Sequence, residues 1–227
     1  MPAVAFSRAF WYSQRTMKKT LSLLTLATLV LSAAPTLCQG ADEKGFHPLF
    51  NGKDLTGWKL RHPDGRQSWT IEPGGVLKNT VEKGIHGTDL VTEKKFWNFT
   101  ARYEYMTPDG SNSGFYLRGR HELQILGDYK SGQASITGNG SIYNFKAPDK
   151  FATKPGGQWQ TVEATIIGNR ITVILNGVKI HDHVECDRAT GAEIDDKVKE
   201  PGPIFLQGDH GTVSFRNIRV KELPKGN

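Results

Sequence analysis

Cysteine is scarce in this 227-residue chain, which has only Cys38 and Cys186. Cys38 falls at the end of a leader-like segment. Loss of that segment would leave Cys186 alone, exclude an internal disulfide and oblige the fold to rest on its own apolar core. Long hydrophobic runs are also missing: the stretch from Leu21 to Ala34 is too short and interrupted for a stable membrane span, and no second candidate follows. A sustained period of 3.6 is absent apart from that leader and a short helical turn expected near Ala192 to Val198. No basic stripe is interleaved with aromatics, which excludes nucleic acid as the expected partner. The GSNSG run at 110–114 reads as a turn rather than a strand-to-helix dinucleotide fingerprint, so no nicotinamide or flavin cofactor is expected. HDHVEC (181–186) puts His181 and His183 on one strand face but offers no third convergent ligand, and no metal is assigned.

What is present begins with MKKTLSLLTLATLVLSAAPTLCQGA, starting at Met17: two lysines, an apolar run, then small residues. That is the layout of a secretory signal peptide over residues 17–40, with 1–16 as an upstream extension, and it predicts an exported, periplasmic or extracellular protein. A soluble product is favoured over a lipid-modified Cys38, because bulky Leu37 stands where lipoprotein signals usually carry a small residue. The charge agrees with removal: 29 basic and 23 acidic residues give +6, and loss of Arg8, Arg15, Lys18 and Lys19 brings this to 25 − 23 = +2. Roughly 185 residues then remain, enough for one sizeable domain, placed at 46–223.

From Ser68 onward the chain is a succession of short alternating runs: SWTIE (68–72), NFTARYEYMT (98–107), SGFYLR (113–118), ELQIL (122–126), WQTVEATIIG (159–168), RITVILNG (170–177) and TVSFRNIRVKEL (212–223). Pro73-Gly74-Gly75, Asp109-Gly110, Gly168-Asn169 and Asn176-Gly177 supply turn chemistry between them. Many short strands without intervening helices predict an all-β fold, an antiparallel two-sheet sandwich or jelly roll.

Several separated stretches occur in one order: LFNGKDLTGW (49–58), LVTEKKFWNFTARYEY (90–105), SNSGFYLRG (111–119), HELQIL (121–126), GSIYNF (140–145), GGQWQTVEATIIGNRITVILNG (156–177) and GPIFLQGDHGTVSFRNIRVKEL (202–223). Together they resemble the 3-keto-disaccharide hydrolase domain family. The resemblance implies a concanavalin A-like sandwich, often exported and acting on sugars, and leaves a divalent cation open in some relatives without placing one here. Since one fold hosts catalysts and binders alike, function has to be read from the site.

The residues themselves suggest where that site lies. In HELQIL, Glu122 and Gln124 share one face of a strand while Leu123 and Ile125 point into the core. In SGFYLR, Tyr116 and Arg118 share a face, so a hairpin of the two strands is expected to make Arg118, Glu122 and Gln124 neighbours. The plain alternative is a surface ion pair between Arg118 and Glu122 worth about 0–1 kcal/mol. Two-carboxylate glycoside hydrolysis is poorly served here, because the same-face series reads Glu122, Gln124, Leu126, Asp128, with Asp128 roughly 20 Å along a straight strand. One base with hydrogen-bond donors suits a sugar already oxidised at C3, whose C2 proton is acidic. Glu122 is the expected base, with Arg118, Gln124 or Tyr143 holding the carbonyl and Tyr116 lining the substrate site. His210, in the LQGDHG loop, reads either as an ordinary solvated loop histidine or as the acid for the leaving alcohol. Glu104 is the rival carboxylate, with an Arg102–Glu104 pair as its structural explanation; Lys146, Asp209 and Gln207 are weaker candidates. The partners implied are a small sugar substrate and an oxidoreductase that makes the ketone. A non-catalytic carbohydrate-binding module and a conventional glucanase remain the alternatives.

Overall fold

The alternation in ATIIGNRITVILNG becomes two paired strands in the computed structural model, which describes residues 43–82 and 85–225. The segments read as an upstream extension, a signal peptide and a lipidation site at Cys38 lie outside the described residues. Among the latter, regular structure is strand, numbered here in chain order, apart from one 3-10 turn at Tyr129–Ser131. No helix among the described residues is long and apolar enough to cross a membrane.

One sheet has eight strands. Its main path runs β11 (Val178–Glu185), β10 (Arg170–Leu175), β9 (Gln160–Ile167), β6 (Phe99–Met106), β13 (Val213–Glu222), β4 (Val76–Asn79) and β3 (Trp69–Glu72), and β1 (His47–Pro48) also pairs with β13. The second sheet orders five strands as β2 (Trp58–Leu60), β5 (Leu90–Phe96), β12 (Gly202–Leu206), β7 (Asn112–Leu117) and β8 (His121–Leu126). Every pairing is antiparallel. The last two strands insert one into each sheet, giving the expected two-sheet jelly-roll sandwich.

Period-two alternation sets which side chains meet between the sheets. Ala101, Tyr103 and Tyr105 of β6 face inward, as do Phe115 and Leu117 of β7 and Leu123 and Ile125 of β8. Tyr103 lies flat against Phe115, ring centroids 3.9 Å apart and planes within 6° of parallel, which ties the two sheets together. Truncating Phe115 to alanine in such a core costs about 3–5 kcal/mol. Asn176-Gly177 turns β10 into β11 with both residues at positive φ, 53° and 80°, as a tight two-residue hairpin requires. Cys186 is buried and unpaired, and burial pushes its thiol up to about 11.

Three segments depart from simple periodicity. Ala192 to Val198 forms bends rather than a helical turn, with Ala192 at φ 51°. His181 and His183 do not share a face: the β10–β11 register shifts there and His183 takes φ 50°, so His181 is buried against the Gly140 carbonyl, 2.9 Å away, while His183 is exposed. GSIYNF is not a continuous strand, because the chain pairs only at Ile142 and then turns, with Asn144 at φ 49°.

Candidate active site

The outer face of the five-stranded sheet carries an unusual row. Successive pairings place Lys59, Val91, Phe205, Tyr116 and Glu122 side by side across its strands. Tyr116 stacks on Phe205 with ring centroids 4.0 Å apart and planes within 10°. The Arg61 guanidinium sits 5.1 Å from the Phe205 ring centre. This face is not solvated: Tyr116 and Phe205 are fully buried and Ile194 packs on them. The covering segment is anchored by Ile194 N–H to the Gly119 carbonyl and by Arg61 to the carbonyls of Ala192 and Glu193, each at 2.7 Å. An aromatic floor roofed by an irregular segment is how a polar strand face comes to be dry.

Glu122 and Gln124 are therefore 4% and 5% exposed, on a face where an ordinary strand would meet water. Burial, reinforced by the negative charges of Asp209 and Asp89, pushes the Glu122 carboxyl up to about 7, against a smaller opposing contribution from the Tyr116 hydroxyl. The two groups interact without forming a well-aligned hydrogen bond. Burial and the adjacent acid raise the Tyr116 phenol far above its ordinary range, so it remains a proton donor. The carboxylate occupies space above Gly114, where a Cβ atom would fall 2.5 Å from its Oε1. The Tyr116 hydroxyl and the carbonyl oxygens of Gln124 and Gln207 are buried without protein partners, and such groups are costly unless something completes them. A sugar, dense in hydroxyl and carbonyl groups, has the matching chemistry.

Tyr116, Glu122 and Gln124 are brought together as expected of one strand face. Tyr143 is tied to this strand only through its backbone, its N–H donating to the Glu122 carbonyl at 3.0 Å, while its ring lies beneath Gly191. Arg118 does not join them. It belongs to the tight turn between β7 and β8, at φ 55°, where strand alternation no longer applies. Its guanidinium stacks 4.1 Å from the Trp97 ring centre, donates to the Gly168 carbonyl, and has no contact with Glu122. Burial lowers this guanidinium to about 10. Glu104 is likewise elsewhere, on β6 of the other sheet, accepting from Arg216 at 2.7 and 2.9 Å and from Asn217 at 2.6 Å. Arg102 pairs with Glu163 and Glu43 rather than with Glu104.

His210 is half exposed in a cleft that it lines together with Asn112, with its Nδ1 against the Asp209 carboxylate. Lys146 is engaged with Asp149. Asp89 was not foreseen. Its carboxylate accepts from Gly208 N–H at 2.8 Å and pairs with Arg61 at 3.3 Å, and burial raises its pKa. With both oxygens engaged, Asp89 is a structural charge rather than a free nucleophile. Asp128, past the end of β8, is occupied by the Asn139 N–H at 3.0 Å. Asp89 and Arg61 could not be found from local pattern, since they reach the row from the residue before β5 and the residue after β2. Gln207 and Asp209 were signalled only by the LQGDHG motif. Among the described residues no three His, Cys, Asp or Glu side chains form a metal-binding group.

Comparison with known proteins agrees with this architecture. The family model of the 3-keto-alpha-glucoside-1,2-lyase-like domain matches residues 45–221. A solved structure from Parabacteroides distasonis, provisionally assigned as a glycosyl hydrolase, is 31% identical, with a TM-score of 0.64 over 79% of this chain and 84% of that one. A second from the same organism with the same provisional assignment, at 24% identity and TM-score 0.63, covers 79% of this chain and 94% of that one and speaks to the fold alone. A third is 25% identical, with a TM-score of 0.58 over 78% and 99% of the respective chains. No curated protein matches the chain.

Proposed function

The chain belongs to the family of 3-keto-alpha-glucoside-1,2-lyase-like domains, a carbohydrate-active, glycosidase-like group, and from that membership we propose that it cleaves 3-keto-glycosides by elimination and hydration. The observation that supports this most directly is a buried carboxyl without a cationic partner among the described residues, Glu122, raised to about 7 beside a phenol kept protonated. A base acts best with a pKa near the working pH, and a neutral donor beside it can stabilise a developing oxyanion.

In the proposed reaction Glu122 takes the C2 proton, and the C2–H electrons form an enolate whose charge rests on the C3 oxygen. Tyr116 donates to that oxygen, and the fixed Arg61 cation lies on the same sheet face. The enolate electrons then form the C1–C2 double bond as the C1–O bond breaks, and the departing oxygen takes a proton from His210. Water adding across the enone, oxygen at C1 and hydrogen at C2, completes net hydrolysis. Gln124, Gln207 and Tyr143 orient the ring. The ketone must come from an earlier oxidation by a separate oxidoreductase. Export through residues 17–40 belongs to the same proposal and rests on the leader's pattern alone.

Incubating the purified protein with matched 3-keto and unoxidised disaccharides is the test. Cleavage confined to the keto sugar, with deuterium at C2 lost to solvent, is the expected result. Cleavage of the unoxidised glycan would make it a conventional glucanase, and binding of either without turnover would make it a carbohydrate-binding module.

A further inference from the structure

We propose that the 460 Å³ cleft at the Asn112 end of the five-stranded sheet, lined in part by Ile85, His86, Asn112 and His210, binds the leaving-group sugar of the substrate. This rests on the reading of Glu122 as base and adds to it a second, specificity-determining subsite. The sheet geometry sets the direction. Asn112, Gly114 and Tyr116 lie on one face of β7, and the Glu122 carboxylate reaches over Gly114. Asn112 is therefore about 7 Å beyond the base along the strand, close to one sugar ring away. The cleft on the opposite flank, lined by Lys59, Arg61 and Val91, starts three strands across from Glu122, about 14 Å away and beyond the Phe205–Tyr116 stack.

The lining suits a second pyranose rather than a plain alkyl group. The volume falls in the range of about 300–1,000 Å³ usual for small-molecule sites. The Asn112 Oδ1 is a buried acceptor with no protein partner, and a sugar hydroxyl can donate to it. Ile85, one of the few large apolar side chains exposed in the fold, offers a surface for the carbon face of a ring. Two imidazoles line the same cleft, His86 held by its contact with the Asp209 carbonyl at 2.8 Å and His210 by the Asp209 carboxylate. A leaving group held there has its linking oxygen beside His210.

The probes are a 3-keto-disaccharide with glucose as leaving group and methyl 3-keto-glucoside, titrated calorimetrically into Glu122→Gln protein, with and without Asn112→Leu to fill the cleft. The disaccharide is expected to bind at least tenfold more tightly than the methyl glycoside, and Asn112→Leu is expected to reduce that ratio to within twofold. Equal affinities, no measurable binding of either probe, or a preference that survives Asn112→Leu would overturn the subsite. Turnover of methyl 3-keto-glucoside by the parent protein is scored separately, because it reports on the base and needs no cleft. A matching thermal melt for Asn112→Leu guards against misfolding.

Discussion

The carboxylate of Glu122 lies directly above Gly114 of the neighbouring strand, where a methyl group would stand 2.5 Å from Oε1. The same Cβ would be 2.8 Å from the Tyr116 ring, so glycine is needed here for close approach rather than for backbone freedom. Gly114→Ala should push both site groups from their positions. A displacement on the order of 1 Å costs about 10²-fold in rate, while overpacking costs about 1–3 kcal/mol in stability. Steady-state kinetics on the keto sugar, beside a melting curve, would check this; full activity in the alanine variant would remove Glu122 from the chemistry.

Burying an acid to make it a base carries a stability cost with a definite sign. The Glu122 carboxyl titrates near 4.5 when unfolded and near 7 when folded, so between those values the folded state holds a proton that the unfolded state has released. Stability contributed by this group therefore falls as pH rises through that window. The full shift corresponds to at most about 3 kcal/mol. Glu122→Gln should raise the melting temperature at pH 8 and change it little at pH 4, where the carboxyl is protonated in both states. Activity runs the other way on the acid side: kcat/KM of the parent should climb about tenfold per pH unit as pH rises toward 7.

Glu104 and Arg118 provide the controls. Glu104 bridges β6 and β13 through Arg216 on a partly exposed face, so Glu104→Gln should cost about 0–1 kcal/mol and leave kcat/KM within about twofold. Arg118 is wholly buried between Trp97 and the Gly168 turn. Its truncation to alanine leaves a cavity and unpaired carbonyls, for a loss of about 2–5 kcal/mol. Protein that remains folded should still turn over substrate at a rate close to the parent's. Loss of activity at full stability in either variant would return that residue to the site.

How far the sequence could be read follows from the range of the interactions concerned. Strand alternation placed Tyr116, Glu122 and Gln124 on one face because neighbours on a strand are fixed locally. It failed at Arg118 because a left-handed turn residue leaves the alternation, and at His181 and His183 because a bulge adds a residue to one strand. The dryness of the outer face could not be seen at all. It arises from residues near 190–194 folding back over a strand that precedes them by about 70 positions, as the Thr190 N–H to Arg120 carbonyl bond records. Asp89 and Arg61 escaped for the same reason, since their place beside Gly208 and Phe205 exists only after the sheet is assembled.

His210 carries the last expectation. Its Nδ1 faces the Asp209 carboxylate, which orients the ring and leaves Nε2 to exchange a proton with the departing oxygen. An alkoxide needs that proton as the C1–O bond breaks, whereas a nitrophenolate does not. His210→Ala should therefore lose about 10²-fold or more on a 3-keto-disaccharide and far less on p-nitrophenyl 3-keto-glucoside. The ratio of the two rates separates proton donation from a structural role, because a displaced loop would slow both substrates alike. Equal losses would assign His210 to binding and leave the leaving oxygen to be protonated by water or by the acid form of Glu122.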